Sequence, residues 1–266
     1  MYSLYSHALP DVHLTHRNYQ GASDLIQALQ CGYIYAGYEN SRVTDSQRSV
    51  HPTNQYLTSL VIALQTHDSV GNHPHGKRIH QLASKSFQKA AAALILLYPG
   101  IPLIFMGEEF ATSAPFPFFV DFEDRHLRDA VDVGRRGDYP PHIWQDALLP
   151  SQAEAFFNAK WNEAPLRDPE MFHWYQRLLQ FRKEGLNAGW LSPENLQTAY
   201  ESQSSSFTMQ YQDIRIQARL TPQAETQAQP MSIPFTGTLV LNSEPESVIE
   251  NNQIQLAPNH TIISRV

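Results

Sequence analysis

Two uninterrupted apolar runs, Tyr56–Leu64 and Ile101–Met106, flank a long stretch of helical periodicity, Ile79–Tyr98. Each run stops abruptly in polar residues: Gln65-Thr66-His67-Asp68 after the first, Gly107-Glu108-Glu109 after the second. Continuous hydrophobes of this length mark strands buried on both faces, as in parallel sheets. Between them Leu82, Phe87, Ala91, Leu94 and Ile95 recur at helical spacing, and Pro99-Gly100 closes the segment. Strand, helix, strand in that order predicts a βαβ unit with a right-handed crossover.

The flanking segments read differently. Ala22–Gln30 places Leu25, Ile26 and Leu29 on one helical face, with Gly32 as the stop, and Glu39–Asn54 is polar loop. Phe110–Ala164, rich in Pro, Phe and Asp, reads as a long loop with short helices. Pro169–Glu184 is an amphipathic helix with Met171, Trp174, Tyr175, Leu178 and Phe181 on its core stripe. Beyond Gly185 the period changes from helical to alternating. Ser206–Leu220 predicts a hairpin turning near Gln212-Asp213, Thr221–Pro230 a linker, and Gly237–Asn242, Gln253–Leu256 and Thr261–Val266 further strands. The fold class expected is α/β over residues 1–186, followed by a small antiparallel β-sandwich domain over 187–266.

Composition narrows the function. With 42% hydrophobic residues the chain can build a core, and disorder, collagen and coiled coil are excluded. A net charge of −7 supplies no basic field for phosphate backbones, so nucleic acid is not an expected partner. Ala90–Tyr98 is about half the length a bilayer requires, and Met1–Pro10 does not read as a signal peptide. No membrane partner and a cytoplasmic location are therefore expected. The single cysteine, Cys31, lies among apolar residues and reads as a small buried hydrophobe.

Three features could carry chemistry. His67-Asp68 falls where a buried parallel strand delivers it to the carboxyl end of a sheet, where active sites of α/β barrels assemble. Glu108-Glu109 occupies the corresponding place on the next strand; the pair could bind sugar hydroxyls or cap the turn that follows. His67, His73, His75 and His80 are spaced by 6, 2 and 5 residues, which fits no zinc signature. No metal or other cofactor is expected, and there is neither a phosphate loop nor a nucleophile elbow.

In order, His67-Asp68 with Gly71-Asn72, Pro102–Phe110 (PLIFMGEEF), Pro115–Phe122 (PFPFFVDF) and Ala130–Arg136 (AVDVGRR) resemble the α-amylase superfamily of glycoside hydrolases. Within it they are most similar to the trehalohydrolases that release trehalose from maltooligosyltrehalose. The resemblance implies the C-terminal part of a TIM (β/α)8 barrel, from the end of strand six at Met1–His7 through strands seven and eight. It implies Asp68 as the third catalytic carboxylate, which steadies an oxocarbenium-like transition state. Tyr5, His7, His67, Ser69, Gly71, Asn72 and Glu109 would then bind an α-glucan or maltooligosyltrehalose-like sugar.

The same resemblance implies what these residues lack. The family's nucleophile and general acid follow the fourth and fifth barrel strands, and the early acids here, Asp11, Asp24 and Glu39, follow no buried-strand run. The chain alone is expected to be inactive; either another chain supplies the missing barrel half, or the chain associates with itself or is poorly soluble. The alternative is a non-catalytic carbohydrate-binding or regulatory module. Two departures bear on the site: Thr66 stands where the family has Asn, and Ser3–Ala8 replaces both acids and one His of its substrate loop.

Overall fold

The computed structural model describes residues 2–9, 19–34, 54–160, 168–221, 228–244 and 249–266. Most of the expected loop Glu39–Asn54 and of the linker Thr221–Pro230 lies outside them. The chain opens with α1 (Tyr2–Ala8) and α2 (Ala22–Cys31). Gly32 ends α2 at φ 79°, its N–H returning to the Ala28 carbonyl, a left-handed cap natural to glycine. Cys31 is half-buried rather than buried, and the Gln27 amide donates to its sulfur at 3.4 Å.

The βαβ unit is present, but its strands are shorter and more exposed than the apolar runs predict. Asn54–Ser59 is a helix, α3, and only Val61–Ala63 forms β1. The hydroxyls of Thr58 and Ser59 donate back to the carbonyls of Gln55 and Tyr56, which favours a helical turn over an extended run. After the short helices α4 (His67–Gly71) and α5 (Ile79–Leu82), α6 (Lys85–Leu96) carries the crossover. The expected single helix Ile79–Tyr98 is thus broken, because Ser84 caps a new helix, its Oγ accepting from Phe87 N–H at 2.9 Å. β2 (Ile101–Leu103) then pairs in parallel with β1, Val61 opposite Ile101 and Ala63 opposite Leu103. Val61 (63% exposed), Ile101 (52%) and Leu103 (41%) lie in the open, where burial on both faces was expected.

From Phe87 to Leu96 every residue of α6 is buried. Its C-terminus is held by Arg182, which donates to the carbonyls of Leu96, Tyr98 and Gly100 at 2.8, 2.6 and 2.5 Å. Arg182 belongs to α9 (Pro169–Ala188), whose buried stripe contains all five residues the periodicity selects and continues to Gly185. Between them lies the expected loop with short helices, among them α8 (Ala153–Ala159) and the turn Pro141–Trp144, but it also holds a twelve-residue helix, α7 (Arg125–Arg136).

The remainder is antiparallel: β3 (Leu196–Glu201), β4 (Ser206–Tyr211), β5 (Ile214–Arg219), β6 (Met231–Pro234), β7 (Thr238–Asn242), β8 (Ile249–Glu250), β9 (Gln253–Leu256) and β10 (Thr261–Arg265). One sheet runs β3-β4-β5-β10-β7 and a second runs β6-β9-β8. The hairpin forms as expected, with Gln212 at φ 49° in its turn. Inward residues of β4 and β5 (Phe207, Met209, Tyr211, Ile214, Ile216) share one core with α6 and α9. Ile233, Ile254, Leu256 and Ile262 form a second, smaller core joining the two sheets. Among the described residues no helix is long and apolar enough to cross a membrane.

Candidate active site

β1 ends at Ala63 and the chain stays buried through Leu64 and Gln65 before surfacing. Thr66 is extended and caps α4: Ser69 N–H donates to its Oγ1, and Thr66 N–H donates to Ser69 Oγ. This reciprocal box accounts for a hydroxyl residue at 66, since a hydroxyl accepts where a helix start needs an acceptor. It also sets His67 and Asp68 on the first turn of α4. Their side chains are 73% and 58% exposed and meet each other, Nε2 to Oδ1, at 3.2 Å.

Behind this exposed pair lies a buried polar network. Gln65 donates from Nε2 to Glu108 Oε2 at 3.2 Å, while its Oε1 accepts from Ile79 N–H at 2.9 Å and from the Tyr5 hydroxyl at 3.4 Å. Tyr175 of α9 donates to Glu108 Oε1 at 2.9 Å. Gln88 of α6 donates to the Glu108 carbonyl at 2.6 Å and to the Tyr175 oxygen at 3.3 Å. The network therefore ties the ends of both parallel strands to α1, α6 and α9. Burial pushes the Glu108 carboxyl up to about 7, against the hydrogen bonds from Tyr175 and Gln65 that pull it down. Burial likewise pushes the Tyr5 and Tyr175 hydroxyls well above the ordinary tyrosine range.

Arginines fix the surrounding loops. Arg78 donates to the carbonyls of Ala114 and Met106, both at 3.0 Å, and stacks on Phe105. Arg135 of α7 pairs with Asp138 at 2.5 Å and donates to the carbonyls of Gly71 and Asn72 at 3.3 Å. Phe118 N–H donates to the Gly71 carbonyl.

The structure thus brings some of the expected site residues together and separates others. His67, Asp68, Ser69, Gly71 and Asn72 share one short segment, and Tyr5 reaches its base through Gln65. His7 faces elsewhere: its Nδ1 meets the Tyr19 hydroxyl at 3.0 Å and its Nε2 the Leu220 carbonyl at 3.1 Å, tying α1 to the end of β5. Glu109 is half-buried, and its Oε2 is enclosed with no hydrogen-bond partner among the described residues. Its neighbour Glu108 is the carboxylate that joins the network. Gln65, Arg78, Arg135 and Tyr175 are not singled out for the site by the sequence. Only Gln65, a polar residue closing an apolar run, carries a signal that could have found it.

An exposed carboxylate beside an imidazole can accept hydroxyl hydrogens of a polyol and steady positive charge. One such group cannot also act as nucleophile and as acid on opposite sides of a glycosidic bond. Glu108 is enclosed and both its oxygens are engaged, so it is not offered to a ligand.

No family model matches the chain. Among curated proteins, it is 34% identical to the malto-oligosyltrehalose trehalohydrolase of Saccharolobus solfataricus over 162 residues, 60% of this chain and 27% of that enzyme. It is 29% identical to the enzyme of the same name from Mycobacterium tuberculosis over 249 residues, 91% of this chain and 41% of that enzyme. Among solved structures, a provisionally assigned alpha amylase from Salmonella typhimurium superposes with TM-score 0.75 at 25% identity, covering 99% of this chain and 45% of that one. The chain spans about two fifths or less of the curated relatives it matches. It resembles the malto-oligosyltrehalose trehalohydrolases, in a span that fits their C-terminal portion, and its fold is α-amylase-like.

Proposed function

We propose that these 266 residues supply part of a trehalohydrolase-type glycoside hydrolase site acting on an α-glucan such as maltooligosyltrehalose, in the cytoplasm. The observation that carries the reading is the likeness to malto-oligosyltrehalose trehalohydrolases, which reaches 91% of the chain. Asp68 takes the role of the third carboxylate, stabilising positive charge on the sugar, and His67 binds an adjacent hydroxyl. Ser69, Gly71 and Asn72 shape the rim around them, and Tyr5 supports it from below. In this reading β1 and β2 are neighbouring strands of a (β/α)8 barrel within residues 1–186, with residues 187–266 as a β-sandwich domain. Parallel pairing of β1 and β2 through a helical crossover supports it, as does their exposed apolar surface.

The nucleophile and the general acid are not among these residues. A polypeptide of this sequence is therefore inactive alone and needs a chain carrying the preceding barrel strands. Asp68 by itself can only stabilise charge, a small part of the ~10⁶-fold or greater acceleration typical of enzymes. Trehalose release from maltooligosyltrehalose by the purified chain tests this, first alone and then mixed with a polypeptide bearing those strands. Release only in the mixture, lost in Asp68→Asn, is expected. Release by the chain alone that depends on Asp68 overturns the division of roles. Silence in both favours a binding or regulatory module instead.

A further inference from the structure

The helix α4 is five residues long, and a helix that short is not stable by itself. Its exposed first turn carries His67 and Asp68, so groups outside the helix have to fix where they stand. The far end is held by Arg135, which donates to the carbonyls of Gly71 and Asn72. The near end is anchored by Gln65, which directly precedes the Thr66 cap and is fully buried. Its side chain reaches three other places in the fold: Glu108 after β2, the Ile79 N–H of α5 and the Tyr5 hydroxyl of α1.

A carboxamide can turn either way, and only one turn satisfies all three contacts. Oε1 accepts from Ile79 N–H at 2.9 Å and from Tyr5 Oη at 3.4 Å, which leaves Nε2 in need of an acceptor. A carboxylate offers nothing but acceptors, and Glu108 Oε2 lies 3.2 Å from that nitrogen. Glu108 is held in turn, because Tyr175 Oη donates to its Oε1 at 2.9 Å and Gln88 donates to its carbonyl at 2.6 Å. At 3% exposed it does not itself meet a ligand. We propose that Glu108 is a positioning residue: by accepting from Gln65 Nε2 it fixes the orientation of that buried amide, and through Gln65 it holds the start of α4, with His67 and Asp68, in place. That the held groups serve a glycosidic reaction rests on the functional reading above; the positioning itself does not.

Exchanging the two polar groups tests this. In Glu108→Gln one of the two donors, Gln65 Nε2 or Tyr175 Oη, meets an amide nitrogen whichever way the new amide turns. In Gln65→Glu two carboxylates face each other. In the double variant every donor again has an acceptor: the carboxylate at 65 accepts from Ile79, Tyr5 and the new amide, whose oxygen accepts from Tyr175. The readout is heteronuclear NMR of the full chain at pH 8, where Glu108 is mostly carboxylate. Val70 and Asn72 donate within α4 to the carbonyls of Thr66 and Asp68. Their amide hydrogen exchange should be about tenfold faster in each single variant and within about threefold of the unaltered chain in the double variant. In Glu108→Gln the amide signals of His67 and Asp68 should shift in the folded protein while those of the β4–β5 hairpin stay, which a mere loss of overall stability would not produce. In the mixed assay kcat for trehalose release should fall about tenfold in each single variant and recover in the double. The proposal is overturned if Glu108→Gln leaves Val70 and Asn72 unchanged, if the double variant is no better than the singles, or if stability falls with the His67 and Asp68 signals unmoved. A mixture containing the unaltered chain that releases no trehalose overturns the functional reading alone, and the NMR result then decides this proposal.

Discussion

Glu108 offers the sharpest physical test, because its environment opposes itself. Two donors, Tyr175 Oη and Gln65 Nε2, are aimed at its oxygens and suit a carboxylate, while complete burial penalises the charge. Burial wins, and the carboxyl rises from 4.5 to about 7. A raised acid binds its proton more tightly in the folded state, so its contribution is intact below 4.5 and is lost as pH climbs through 7. At about 1.4 kcal/mol per tenfold change in proton concentration, the full loss is about 3 kcal/mol, of which about 2.5 falls between pH 5 and 8. Glu108→Gln removes the titration. It also sets an amide nitrogen against Gln65 Nε2, but that cost does not vary with pH, so the slope and not the offset is read. The groups facing Glu108 do not confuse the slope: Tyr5 and Tyr175 are raised away from the window, and Arg78 keeps its charge. His73 and His80, pushed down by burial to about 3 and 4, are neutral when folded but protonate near 6.5 when unfolded, a slope that both chains share and that cancels in the difference. Urea unfolding at pH 5, 6, 7 and 8 should show the unaltered chain losing about 2.5 kcal/mol relative to Glu108→Gln. A difference constant to within about 1 kcal/mol would refute the reasoning.

Two further outcomes follow from packing. The buried amine of Lys89 donates to Glu170 at 2.5 Å and to the Ser243 carbonyl at 3.1 Å, joining α6, α9 and the end of β7. Lys89→Met should cost about 1–3 kcal/mol in urea unfolding, discounted because Glu170 is largely exposed, and a cost near zero would remove Lys89 from that role. Gly185→Ala ought to gain up to about 1 kcal/mol by helix propensity alone. Here its Cβ would lie 2.5–2.7 Å from the buried Trp190 ring, so a net loss of about 1–3 kcal/mol with an altered near-ultraviolet dichroism band is expected.

Periodicity made α2, α9 and the β4–β5 hairpin legible, since each buries one face and its spacing reports that face directly. Strand order within the two antiparallel sheets was not legible, because β3, β6 and β8 carry weak or exposed patterns. The apolar runs around β1 and β2 misled about burial for a different reason. Hydrophobic content reports what a segment can bury, and the described residues cover Val61, Ile101 and Leu103 only in part.

The candidate site shows where one-dimensional reasoning ends. Glu108 and Glu109 are chemically identical neighbours, and no pattern in the chain distinguishes them. Gly107 does so through its backbone: at φ 80° it starts a short 3₁₀ turn in which Glu108 points inward to Gln65 and Tyr175 and Glu109 does not. Tyr5 and His7 part for an equally local reason. Two residues apart on α1, they point to nearly opposite sides of the helix, so one joins the Gln65 network and the other the edge of the β domain. The resemblance assigns both to one substrate loop, whereas on α1 one side chain joins the Gln65 network and the other the end of β5. The consequence is directional: His7→Ala should loosen the packing of α1 on Leu220 and Phe207, measurable as lower unfolding stability, and leave any saccharide affinity at His67-Asp68 unchanged. Weakened affinity with unaltered stability would instead return His7 to the ligand side and require α1 to rotate.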